Sequence, residues 1–325
     1  MINRRTWLVG LTLGLQLAPS VRAQQGPKVI GLLNPYSSHD SELVRVAFVR
    51  AMLDLGYVKG RHFVLVERPA DGNEDRLLEF AEELVRGKVD LICASTTNAA
   101  IAAQRSTTSI PIVFDSVADP IRAGFADSLA HPGRNITGLS NFAADLNPKR
   151  FQLLREMMPR LTRVAVLMNP TNPYASTGVQ PTRAAADQSG LHTVYLQAST
   201  TQELEAAFTS IATHRSEAIY VAPDTYLYFQ RARIVEFALR NKLPSMFPFA
   251  GYVEAGGLMS YGVDQLAGVR QSAGYVDKIF RGARAGELPI EQPTRVDLVI
   301  NRTTAGALQL TIPQSLLLRA EKVIE

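Results

Sequence analysis

The feature that most constrains this chain is a recurring pair of segments, a short apolar run followed by a longer stretch with helical spacing. Residues 89–104 are its clearest instance. Leu91, Ile92 and Cys93 suit a strand covered on both faces, and the alanine-rich segment after Asn98 has high helix propensity. Ser95, Thr96 and Thr97 therefore fall at a turn between the carboxyl end of a strand and the start of a helix. In open α/β sheets that edge is where ligands bind, and the free N–H groups of a helix start favour an anion. A helix N-cap is the competing reading of any one of these hydroxyls.

The same pair recurs along the chain. Strand-like runs lie at Lys28–Leu33, Phe63–Glu67, Val89–Cys93 and Ile110–Phe114, with amphipathic segments between them. The first of these segments places Leu43, Val44, Ala47, Phe48, Ala51, Met52 and Leu55 on one face and ends at Gly56. A second predicted helix opens at Asp71–Glu74. This βαβαβαβ order predicts a parallel sheet with helices on both faces. Near Asn135–Gly138 the pattern restarts, with strands predicted at Val164–Met168, Leu191–Leu196, Ala218–Val221 and Ser245–Phe249. The second half repeats the element order of the first without repeating its sequence. Gly256–Gly262 reads as an extended return crossing, and the helix after it rejoins the first half.

At 325 residues and 46% hydrophobic content the chain can fill two ordinary domains. Its start, with Arg4 and Arg5, an apolar run from Trp7 to Ala18 and small residues at Val21-Arg22-Ala23, predicts an export signal over residues 1–23, of Sec or twin-arginine type. The apolar run is too short to span a bilayer, and no cysteine follows for a lipid anchor. Removing the signal takes away Arg4, Arg5 and Arg22 and no acid, so the formal charge of +4 falls to +1. A nearly neutral mature chain is not composed for binding nucleic acid. The single Cys93 has no internal disulfide partner and reads as packing in a strand.

No glycine-rich dinucleotide fingerprint follows the first strand, and no phosphate-binding loop, zincin motif or Cys/His cluster appears. The five histidines are scattered, and Asp119 before Pro120 reads as a turn residue rather than one of a catalytic pair with Asp115. The expectation is a binding protein without cofactor or metal, and not an enzyme.

Several separated motifs sharpen this: Val29-Ile-Gly31, Ile110-Pro-Ile-Val-Phe114 with Ala118-Asp-Pro120, His131-Pro-Gly-Arg-Asn-Ile-Thr-Gly138, Val166-Leu-Met-Asn-Pro170, Gly256-Gly-Leu-Met-Ser-Tyr-Gly262 and Leu298-Val-Ile-Asn301. Together they resemble the periplasmic substrate-binding proteins of ABC importers, in the family that includes the TrpX-like tryptophan and tyrosine binders. The resemblance covers essentially the whole mature chain. It implies an α/β, type I periplasmic-binding fold, in which two Rossmann-like lobes with parallel sheets, joined by extended hinge crossings, close on a small ligand. The expected lobes are residues 27–137 with 262–290, and 138–261 with 291–325.

On that resemblance Ser95, Thr96 and Thr97, helped by Ser116, hold a carboxylate from the first lobe. Asp224 is the expected ammonium partner, with a helix N-cap as its competing role, and Asn34, Asn141 and Asn169 are candidate polar contacts. Tyr36, Phe142, Tyr174, Phe247, Phe249 and Tyr261 are candidates for a side-chain pocket, since aromatics bury much area and stack on aromatic ligands. For Phe247 and Phe249 a core role competes equally. The implied partners are a small amino acid or aromatic acid, an ABC permease and its ATPase, with the receptor itself monomeric and periplasmic. A sensing protein that hands the same lobe arrangement to a signalling partner is the alternative.

Overall fold

The computed structural model describes residues 26–141 and 144–325, without the side chains of residues 174, 176 and 177. The expected export signal, Phe142 and the side chain of Tyr174 lie outside the described residues.

Eight elements build the first half: β1 (Lys28–Asn34), α1 (Ser38–Asp54), β2 (Phe63–Pro69), α2 (Arg76–Arg86), β3 (Leu91–Ala94), α3 (Thr97–Ser106), β4 (Ile112–Val117) and β5 (Ile136–Ser140). The five strands form a parallel sheet in the order β2-β1-β3-β4-β5. All four residues of β3 are buried, as a strand covered on both faces requires. The chain leaves β1 towards β2 on one side and then places β3 on the other, so the order reverses between β1 and β3.

The second half follows with α4 (Asn147–Met157), β6 (Arg163–Met168), α5 (Pro173–Gln188), β7 (His192–Gln197), α6 (Thr201–Thr213), β8 (Ala218–Val221), α7 (Thr225–Phe229), α8 (Arg231–Arg240), β9 (Ser245–Phe247), α9 (Ala250–Glu254) and β10 (Met259–Gly262). Next, α10 (Gln265–Phe280) returns to the first half. Its Val269, Ala273, Tyr275 and Val276 share a core with Ile30, Phe48 and Val113. The chain then crosses once more to supply β11 (Asp297–Asn301), α11 (Arg302–Ala307), α12 (Gln314–Arg319) and β12 (Lys322–Ile324). The second sheet runs β12-β11-β10-β9-β8-β6-β7, reversing between β6 and β8. It is parallel except at β10 and β11, which pair antiparallel because the returning chain enters from the opposite end.

Three details depart from the sequence pattern. The restart near residue 135 is itself a strand, β5, which extends the first sheet through Ser140, past the expected break at 137. Helix α2 begins at Arg76 rather than 71–74, since Asp71 and Gly72 both have left-handed φ (49° and 79°) that a helix does not admit. The buried stripe of α1 is narrower than the periodicity suggests. Val44, Phe48 and Met52 face the core, whereas Leu43 and Leu55 are exposed.

The crossings are tightly fixed. Gly138 (φ +146°) lies so close to β4 that a Cβ there would run into the carbonyl oxygen of Phe114. The last crossing runs beside β5, where Glu291 N donates to Gly138 O at 3.0 Å and Ser140 N to Glu291 O at 2.9 Å. The wholly buried Arg150 of α4 donates from Nε to the Tyr261 carbonyl at 2.7 Å and from Nη1 to Asn147 Oδ1 at 3.0 Å, tying α4 to the end of β10.

Candidate functional site

Both sheets point the carboxyl ends of their parallel strands at the same space, and both order reversals, β1/β3 and β6/β8, open onto it. A cavity of about 500 Å³, counted to its open mouth, lies there. The first half contributes Tyr36, Thr96, Thr97, Asn98, Ser116 and Asn141, from the ends of β1, β3, β4 and β5. From the second half come Asn172, Asp224, Thr225, Tyr228 and Phe249, which follow β6, β8 and β9. Gln265, the first residue of α10, lines it between the two.

Among the described non-glycine residues with left-handed φ, Thr96 in the turn after β3 has the largest. Thr96 has φ 86° and ψ 163°, a region that is nearly glycine-only, and for a β-branched residue it costs about 1–3 kcal/mol. Its side chain does not cap α3, and its Oγ1 is buried without a hydrogen-bond partner. The first N–H groups of α3 also lack an intrahelical acceptor, as at every helix start. A strained turn thus holds an unsatisfied hydroxyl and the positive end of a helix at one wall of the cavity, an arrangement that favours an anion. Beside it, Thr97 Oγ1 accepts from Ala118 N at 3.2 Å, leaving its own proton to donate. Asn141 Nδ2 donates to Ser116 Oγ at 3.0 Å, while Asn141 Oδ1 is buried without a partner.

Ser95 does not line the cavity. Its hydroxyl donates to Asp115 Oδ2 at 2.6 Å beneath the turn, joining the ends of β3 and β4. Burial pushes the Asp115 carboxyl up from 3.8 to about 7, against the opposing pull of the Ser95 hydrogen bond. Asn34 is likewise removed from the cavity, with Oδ1 accepting from Tyr36 N at 3.1 Å and from Ser41 Oγ at 2.8 Å. It shapes the loop that presents Tyr36.

On the opposite wall Asp224 has the N-cap role that competed for it in the sequence, and it also lines the cavity. Its Oδ1 accepts from Leu227 N at 2.7 Å as the N-cap of α7, and the carboxylate also faces the cavity. Oδ2 accepts from Asn172 Nδ2 at 2.7 Å and Asn169 Nδ2 at 3.1 Å. Burial raises its pKa, opposed by these bonds. Asn169 therefore stands behind Asp224 and holds it across the β6/β8 reversal, rather than lining the cavity.

The aromatic candidates divide. Tyr36 and Phe249 line the cavity. Phe247 is fully buried and stacked on Tyr252 at 4.5 Å, because the alternation of β9 turns it into the second half's core. The ring of Tyr261 packs against the other core of that half, and its carbonyl accepts from Arg150. Tyr228, which the sequence did not single out, lines the cavity edge-on to Phe249, with ring centroids 6.1 Å apart. It belongs to a five-residue helix too short to announce itself by periodicity. The one signal for it is its place four residues after Asp224, at the carboxyl end of β8. Asn98, Asn172, Thr225 and Gln265 were also missed; Asn98 and Thr225 directly follow named candidates, whereas Asn172 and Gln265 lie two and three residues beyond a motif.

Among the described residues no group of three or more His, Cys, Asp or Glu side chains is placed to hold a metal ion, and no helix is long and apolar enough to cross a membrane.

Comparison with known proteins gives a consistent picture. Residues 32–324 match the family described as ABC transporter substrate binding protein. A tyrosine-binding protein of Clostridioides difficile is 25% identical over 283 residues, 87% of this chain and 81% of that one. The crystal structure of a conserved domain protein from Vibrio cholerae superposes with a TM-score of 0.86 at 28% identity, covering 92% of this chain and all of the other. An ABC domain from Streptococcus pneumoniae, crystallised in complex with L-Trp, gives 0.82 at 25% identity over 91% of this chain and all of the other. The fold is the type I periplasmic-binding fold of these neighbours.

Proposed function

The chain belongs to the ABC transporter substrate-binding protein family, and from that premise we propose that it is the exported solute receptor of an ABC importer, taking a small aromatic amino acid into the cavity between its halves. The lobes of this receptor are residues 27–141 with 263–290 and 142–262 with 291–325, a division that keeps β5 in the first sheet and β10 in the second. They close about the crossings, and the closed form is what the permease and its ATPase read. The receptor works as a monomer in the periplasm.

One observation carries the ligand assignment: the unsatisfied Thr96 hydroxyl and the start of α3 face the Asp224 carboxylate across a cavity walled by Tyr36, Tyr228 and Phe249. An anion fits the first wall, a cation the second, and an apolar ring the aromatic side chains between them. An aromatic zwitterion satisfies all three. The tyrosine-binding relative and the L-Trp complex support the same choice.

The test is a melting series of the mature protein with L-tryptophan, L-tyrosine, tryptamine and indole-3-propionate, because a ligand that binds only the folded state raises its melting temperature. The amino acids are expected to raise it, and each analogue lacking one charge to raise it far less. No shift with any carboxylate would end the reading.

A further inference from the structure

Beside the cavity that Asn98 of α3 and Thr225 of α7 both line, two acids from opposite halves act on each other. Glu74, in the loop before α2, accepts from Asn98 Nδ2 at 2.5 Å through Oε2, while its Oε1 is buried with no partner. Its partner Asn98 lines the cavity together with Asp224 and Thr225 of the second half, and the Asp224 charge acts on Glu74. The charged groups acting on Glu74 are Asp224 and its own neighbour Asp75, both acidic. The donors beside it, Asn98 of α3 and Thr225 of α7, are neutral. The adjacent Arg76 turns its guanidinium over the Phe80 ring, 4.4 Å from the centroid. Asp224 itself is held by the two amides of Asn169 and Asn172 and by Leu227 N, with no cation among them.

We propose that Glu74 is a proton-binding residue of the cleft: closing the halves brings it against Asp224, and it takes up one proton from solvent so that they can meet. This rests on the reading that the halves open and close around the ligand. Burial first, and the Asp224 charge second, push the Glu74 carboxyl from 4.5 to about 7 in this arrangement. In an open arrangement without Asp224 and Thr225 beside it, Glu74 returns towards its ordinary range. Because the closed form has the raised pKa, its advantage is complete below the ordinary glutamate range and is lost as pH rises through about 7. Ligand affinity then falls across that window by at most about tenfold per pH unit, one proton being taken up for each ligand bound.

Two measurements decide it. Titration calorimetry with L-tryptophan and L-tyrosine, in buffers of different ionisation enthalpy between about pH 5.5 and about pH 8, reads proton uptake directly. The native protein is expected to take up a proton and to bind about tenfold or more weakly at the upper pH, and Glu74→Gln to lose both the uptake and the slope. An unchanged slope in Glu74→Gln overturns the proposal. So does proton release on binding, which would mean that the Glu74 carboxyl is charged in the closed form. The second measurement needs no ligand, and separates failure of this proposal from failure of the receptor reading. In a Cys93→Ser background, D40C and R231C are joined by a short bis-maleimide to hold the halves together, and Glu74 is titrated by carboxyl-carbon NMR, assigned through Glu74→Gln. A midpoint near 7 in the joined form, falling towards 4.5 when the link is left open, is expected; an ordinary midpoint in both overturns the proposal.

Discussion

Arg231 Nη2 stands 3.2 Å from both carboxylate oxygens of Asp40, joining α8 of the second half to α1 of the first. The same guanidinium lies 4.4 Å above the Tyr228 ring and donates from Nη1 to the Tyr228 carbonyl at 3.2 Å, so the ion pair braces a cavity wall. Next to it Phe229 reaches the first half, its ring 3.3 Å from where a Cβ on Gly72 would stand. These contacts exist only while the halves are together. Arg231→Ala is therefore expected to weaken L-tryptophan and L-tyrosine by a similar factor of about five, as a partly exposed ion pair does. Calorimetry on both ligands checks this; a loss confined to one would mean that Arg231 reads the ligand itself.

The strain at Thr96 makes a prediction of opposite sign for stability and for binding. Thr96→Gly relieves the φ of 86° and is expected to raise the unfolding free energy of the ligand-free protein by about 1 kcal/mol or more. Removing hydroxyls from the same turn, with Thr96→Ala and Thr97→Ala together, is expected to weaken a carboxylate ligand by about tenfold or more. Denaturant melts of the first variant and calorimetry of the second are the measurements. Unchanged affinity would remove the hydroxyls from the site.

Asp115 should make stability depend on pH. Its folded pKa of about 7 lies above the ordinary 3.8, so the folded state keeps a proton that the unfolded chain has already lost. Its contribution is complete below 3.8 and disappears as pH rises through about 7. Asp115→Asn, which keeps the shape without the charge, is expected to flatten that fall and to exceed the native protein in melting temperature at about pH 8. A variant whose melting curve keeps the native pH dependence would show that the proton is held elsewhere.

Two glycines in helix and strand should respond oppositely to alanine. At Gly138 the added methyl meets the backbone of β4, which cannot turn aside, and a loss of about 3 kcal/mol or more is expected. At Gly274, within α10, nothing lies within 4 Å, so alanine is expected to gain about 0.5–1 kcal/mol. Urea unfolding of the pair tests both against one baseline.

The alternation of apolar runs and helical faces carried the architecture, because β3, β4, β6 and β8 are buried on both sides and look alike whatever surrounds them. It also brought Thr96 and Thr97 to the cavity, since a turn between strand and helix is a local property. What escaped depends on contacts between distant segments. Ser95 and Asn34 have the chemistry of ligand contacts and spend it on Asp115 and on Tyr36 and Ser41, partners that no local pattern names. Phe247 and Phe249 sit two residues apart and both join the second half's core, yet β9 ends between them, and only Phe249 also reaches the cavity. The reversed direction of β11 is set by where the chain comes from rather than by the composition of Asp297–Asn301.

Because α10 covers the first sheet only after the chain has traversed most of the second, neither half is one continuous length of polypeptide. A ribosome that has finished β5 has made every strand of the first sheet, yet the core that Ile30 and Val113 of the sheet share with Phe48 of α1 stays partly bare until residue 280 emerges. Nascent molecules of this kind expose a greasy surface for much of their synthesis, an interval in which a chaperone can hold them unfolded. Cutting the gene between the halves would strand that surface permanently.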